Sequence, residues 1–169
     1  MDTMNEGAQV SNPVDEAVDA MTATMAPKAD LTKRAIAAVI DFAIASLLSR
    51  IPFVGWFAGI GYILVRDGLD VEMVNRQSVG KKVMGLKTVR LDGEAMDIPA
   101  SVRRNWMFAL GTLASFFVWV PILGFVAVII AALLSFLIGV YEIYLVFTES
   151  EGRRWGDSFA GTKVIETDE

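Results

Sequence analysis

Two carboxylates stand inside apolar stretches of this chain. Asp41 is the one charge in residues 35–48, and Glu142 closes an uncharged run of thirty-seven residues that begins at Asn105. At 1.5 Å per helical residue, each lies about 10 Å inside the nearest charged boundary. A carboxylate at the centre of a membrane helix costs on the order of 3 kcal/mol, less near its ends, so both must face protein or water rather than lipid. Two chemistries fit such a group. One is a buried ion pair with Arg34, Arg103 or Arg104 that orients helices and does nothing else. The other is a site where the carboxylate alternates between a protonated and a cation-bound form. Arg34 precedes Asp41 by seven residues, which puts it on the same helix face but beyond direct intrahelical contact. Asp157, next to Arg153-Arg154-Trp155-Gly156, suits a helix cap or loop anchor better than an acid catalyst.

Other reaction chemistry finds no residues to carry it. The chain has no cysteine and no histidine, which excludes disulfides, thiol catalysis, histidine-ligated haem and Cys/His zinc sites. Serines are left without a histidine to activate them, so no nucleophile–base pair is expected, and neither an enzyme nor a cofactor is inferred. Gly80-Lys81 has part of the form of a phosphate loop, but Asn75 stands where the first glycine belongs and Lys82 where the hydroxyl is needed. The net charge of −5 argues against nucleic acid as a partner.

The elements that must position Asp41 and Glu142 are membrane helices. Residues 105–141 are long enough for two spans of about 20 residues, folded back at the turn between Pro121 and Gly124. A first span opens after Asp30 or Thr32, either of which caps a helix, and runs to Leu48. After the turn Ser49-Arg50-Ile51-Pro52, residues 53–65 form a short second span that needs tilt or local thinning. Small residues line the faces that carry the acids: Ala38, Asp41, Ala45 and Ser49 in one stripe, and Ala127, Ala131, Ser135, Gly139 and Glu142 in another. With the pairs Gly55/Gly59 and Gly111/Ser115, every helix has an edge on which backbones can approach closely.

Between Arg66 and Arg104 the chain leaves the lipid. Leu86-Lys87-Thr88-Val89-Arg90-Leu91 alternates apolar and polar before a turn at Asp92-Gly93, and Thr162-Lys163-Val164-Ile165 is a second candidate strand; if the two pair, they make a small sheet against the membrane face that joins the middle loop to the C-terminus. The expected fold is thus an all-α membrane protein, a four-helix transmembrane bundle of two helical hairpins with a small cytoplasmic β-hairpin-like element. Residues 1–29 read as a disordered acidic tail with a short helix over residues 14–25, residues 30–165 as the membrane domain, and residues 166–169 as an acidic C-terminal tail. Fourteen of the fifteen Lys and Arg residues fall on one side of this arrangement, Arg50 being the exception. The positive-inside rule then places both termini and the central loop in the cytoplasm, and the membrane expected is the plasma membrane, with the bilayer as first partner and a second copy or another membrane protein as second.

Several segments together resemble the RDD family of bacterial and archaeal membrane proteins. They are Arg34 and Asp41 in the first span, Ser78-Val79-Gly80-Lys81-Lys82-Val83-Met84-Gly85-Leu86-Lys87-Thr88-Val89 with Asp92-Gly93, and Asp157-Ser158-Phe159-Ala160-Gly161-Thr162-Lys163-Val164. The family is named for one arginine and two aspartates. Arg34 and Asp41 match the arginine and first aspartate, Asp157 the second, and Ser78 stands where threonine is usual. The resemblance implies a transport-related protein of unassigned ligand, with sodium/proton exchange proposed for some members. In that reading Arg34, Asp41, Glu142 and Asp157 are the ion- or ligand-binding set. The alternative is a non-transporting scaffold or assembly factor that holds a partner protein.

Overall fold

The computed structural model of the chain describes residues 21, 25–71, 73–110 and 122–167. Most of the acidic N-terminal segment lies outside these residues, as do the Gly111/Ser115 pair, most of the third expected span and the last two residues of the chain. The described part is mostly helical.

Helix α1, Leu31–Leu48, starts at Asp30, whose carboxylate accepts the Lys33 N–H at 2.9 Å and supplies the N-cap. Its inward face is Ala37, Asp41 and Ala45, one residue every turn, while Ile36, Val39, Phe42 and Leu47 point outward. The chain reverses through residues 49–54 and returns as α2, Gly55–Val65. A Cβ on Gly59 would run into the Ser49 hydroxyl and stand 2.7 Å from the Ala45 carbonyl, so the small-residue seam does bring these two backbones together. Only eleven residues of α2 are helical, about 16 Å of rise, against a hydrocarbon thickness of about 30 Å. Pro52 and the left-handed Phe53 (φ 67°) keep the apolar residues before Gly55 in the turn.

Short α3, Val79–Val83, then docks on α1, and Ser78 caps it through its hydroxyl. Strand β1, Leu86–Arg90, pairs antiparallel with β2, Thr162–Glu166, in the register Leu86↔Glu166 to Arg90↔Thr162. Both segments read as strands in the sequence are strands, and their pairing joins the middle loop to the C-terminal segment over a long range rather than through a hairpin turn. Leu86 and Val164 close with Ala29 and Ala37 into a small apolar core. Ala29 is therefore part of the fold and not of a tail. Just ahead of it the Ala26 carbonyl accepts from Lys163 at 2.8 Å, which fastens the segment beneath β2.

Helix α4, Ile98–Asn105, is capped by Asp97 and passes into a 3-10 turn, Trp106–Phe108. Helix α5, Leu123–Thr148, is the long one, about 39 Å at 26 residues. Among the described residues it is the one helix that length and composition qualify to cross a membrane, and only 6% of its apolar window is buried against protein. Its less exposed face carries Ala127, Ala131, Ser135 and Gly139 and ends at buried Glu142. Helix α6, Trp155–Ala160, packs on α4 and ends at left-handed Gly161, from which β2 starts.

Candidate functional site

Several polar residues of the middle loop, Asp67, Ser78, Lys81, Thr88 and Arg104 among them, do not stay in solvent. They converge with Asp41, Arg34, Glu142 and Asp157 into one buried band of charges. Three carboxylates form its nodes.

Asp41 is 1% exposed and takes three hydrogen bonds and one ion pair from two other elements. Oδ1 accepts the Tyr62 hydroxyl of α2 at 2.8 Å and the Gly80 N–H of α3 at 2.9 Å. Oδ2 accepts the Ser78 hydroxyl at 2.6 Å and lies 3.0 Å from Arg66 Nη1, at the end of α2. Gly80 permits this contact, because a Cβ there would strike the Ala37 carbonyl and come within 3.0 Å of the Asp41 carboxyl carbon. The arginine on Asp41 is thus Arg66, and none of Arg34, Arg103 and Arg104 touches it.

The second node is Asp67, fully buried. It pairs with Lys81, lies 3.2 Å from Arg104 Nη1 and 3.4 Å from the Asn105 amide nitrogen, while Thr88 of β1 accepts from both Lys81 and Arg104. The third is Asp157, also fully buried. Arg104 Nε stands 2.5 Å from its Oδ1, with Arg154 and Arg34 at 3.5 and 3.6 Å from Oδ2. Asp157 caps α6 as well, accepting the Arg154 N–H at 3.0 Å. Arg34 turns away from Asp41 and donates to the Gly152 carbonyl. Glu142 accepts the Gly156 N–H at 3.2 Å, and its other oxygen is 3.7 Å from Arg154 Nε, so it ties α5 to the start of α6.

Arg104 Nε and Arg66 Nη1 sit at ion-pair distance from their carboxylates without an aligned hydrogen bond. Charge rather than direction holds those two contacts. The band counts five cations (Arg34, Arg66, Lys81, Arg104, Arg154) against four anions (Asp41, Asp67, Glu142, Asp157). Burial pushes the Lys81 ammonium down and Arg104 adds repulsion, with Asp67 opposing both, and the result is about 7. Burial would lift the Asp67 and Asp157 carboxyls, but Lys81 and Arg104 at the first, and Arg104, Arg154 and Arg34 at the second, hold them far below the ordinary carboxylate range.

Of the four residues singled out by sequence, Arg34 meets Asp157, and Asp157 and Glu142 meet at Arg154. Asp41 belongs to a separate node, linked to theirs through the adjacent Arg66 and Asp67 and then Arg104. Sequence reasoning missed Arg66, Asp67 and Lys81 as members of the band, because charges in a hydrophilic loop read as solvated; it names Arg104 as an ion-pair partner, but of Asp41 or Glu142, whereas the structure gives Arg104 to Asp67 and Asp157. The available signal was the Arg66-Asp67 pair placed directly at the end of an apolar helix. No group of three or more acidic side chains able to hold a metal ion occurs among the described residues.

No curated protein and no solved structure matches the chain. The family model of the RDD family matches residues 53–161, well over half of the 169 residues, and takes in Asp67, Lys81, Arg104 and Asp157 while starting beyond Arg34 and Asp41. With this match, a long apolar helix left open to its surroundings and a band of buried charges at the C-terminal end of that helix, the chain belongs to the RDD family of membrane proteins.

Proposed function

We propose that the protein is a non-transporting membrane scaffold in which the charge band clamps the cytoplasmic segments onto the helices, leaving α5 to lipid and to a partner membrane protein. The observation that carries this reading is the state of Asp41. Both of its oxygens are occupied by donors from α2 and α3, and a cation would have to displace Arg66, Tyr62, Ser78 and the Gly80 amide to reach them. A pair so enclosed fixes geometry, and removing one partner leaves the other buried and uncompensated. In this reading the chain enters the plasma membrane four times, α1 with α2 forming the shallower hairpin, and both termini stay in the cytoplasm. The placement of fourteen of fifteen basic residues on one side supports that orientation. No catalysis is assigned to it.

The test is ion movement in vesicles carrying the purified protein, beside Asp41→Asn. The expected outcome is sodium, potassium and proton flux no greater than in empty vesicles, with a lowered melting temperature in detergent for the variant. Flux that Asp41→Asn abolishes while leaving the melting temperature unchanged would establish the transport reading instead.

A further inference from the structure

Helix α6 has two faces of opposite character. Gly156 and Asp157 are buried, the latter among Arg34, Arg104 and Arg154, whereas Trp155 and Phe159, one turn apart, are 44% and 61% exposed. The exposed face is not at an arbitrary height. Trp155 meets Trp106 edge-on with ring centres 6.2 Å apart, and it shares a shallow hollow with Leu137, Ile138 and Tyr141 of α5. Trp106 and Tyr141 stand at the two ends of the uncharged run of residues 105–141. The level at which the chain enters the apolar run and the level at which it leaves are therefore one level, and Trp155 lies on it. Tyr141 is also about 27 Å along α5 from Leu123, close to the full thickness of a hydrocarbon layer.

We propose that α6 lies flat in the inner lipid–water boundary and inserts Trp155 and Phe159 among phospholipid headgroups and upper acyl chains. This rests on the reading of α5 as a membrane span. Tryptophan prefers that depth because its ring is apolar and its N–H is not. The two arginines that lead into α6 do not select the lipid: Arg154 is engaged by Asp157 and Glu142, and Arg153 by Glu149 and Glu151. A zwitterionic phospholipid therefore suffices as the ligand. The consequence is a surface contact on one side of α6 and the Asp157 ion pairs on the other, so lipid contact and the charge band share one six-residue helix.

The test uses the full chain in phosphatidylcholine vesicles, with Trp56, Trp106 and Trp119 replaced by Phe so that Trp155 is the sole fluorophore. Lipid brominated near the headgroup end of its chains should remove most of the emission, and aqueous iodide should leave it unchanged. The reverse pattern would overturn the proposal. Because the chain has no cysteine, Phe159→Cys carrying an environment-sensitive dye gives a second measurement with tryptophans intact; emission typical of water would equally overturn it. A tryptophan-free background with Phe136→Trp separates the premise from the inference. If that mid-helix reporter escapes lipid quenching, the span reading has failed; if it is quenched while the α6 probes are not, the placement of α6 has failed.

Discussion

Arg104 is the residue on which two of the three nodes depend. It is 1% exposed, and its guanidinium stands between Asp67 at 3.2 Å and Asp157 at 2.5 Å while donating to Thr88. Lysine could not copy this, because one ammonium cannot face two carboxylates from a planar fork. Arg104→Met should destabilise the protein by about 3–5 kcal/mol, the cost of stripping the cation from a buried pair. Combining it with Asp67→Asn should cost less than the two single losses added together, since the second change removes a charge that the first has orphaned. Denaturant unfolding of the three variants in detergent micelles measures both. The sequence announced Asp41 because a carboxylate in an apolar helix has nowhere to hide. Arg104 stood out in it only as one of three arginines able to pair with a buried acid, and its neighbour Arg103 is equally basic yet exposed; only the packing of α4 on α6 separates the two.

At the level of elements, two glycine positions that look alike in sequence behave differently. Gly59 sits in the seam between α1 and α2, while Gly139 of α5 meets nothing within 4 Å of an added Cβ among the described residues. Gly59→Val forces the backbones apart and should cost about 1–3 kcal/mol, the range for overpacking a close contact. Gly139→Ala should be neutral or stabilising by up to about 1 kcal/mol, from helix propensity alone. Thermal melting of the two variants against the parent decides it, and an equal loss in both would mean that α5 packs as tightly as α2. The seam on α1, the two strands and the length of α5 were readable because they rest on periodicity, alternation and hydropathy. The extent of α2 was not. Hydropathy counts Phe53 and Val54 as span residues, whereas Pro52 and a positive φ at Phe53 hold them in a turn. The pairing of β1 with β2 was an inference about two similar segments, and its register came only from folding the whole chain.

Taken as a whole, the molecule buries more positive than negative groups in its band, and this sets how its stability responds to pH. Lys81 is the group that titrates closest to neutrality. Its folded value of about 7 lies below the ordinary 10.5, so between those two values the unfolded chain holds a proton that the folded chain has released. Stability therefore rises with pH across that window, and charging Lys81 beneath it is a cost borne by the fold. Asp67 and Asp157 act at the other end. Their folded values are depressed, so their contribution is intact above the ordinary carboxyl value of 3.8 and is lost as acid protonates the unfolded chain first and then the native pairs. The expected profile is a plateau between roughly pH 5 and 7, a fall below about pH 4 and a further gain from about pH 7 upward. Lys81→Met should remove the alkaline gain while keeping the acid fall, because the methionine fills the same space without a proton to lose. Melting temperatures of the parent and this variant in detergent across that range test the assignment; an alkaline rise that survives in Lys81→Met would place the titrating group elsewhere in the band.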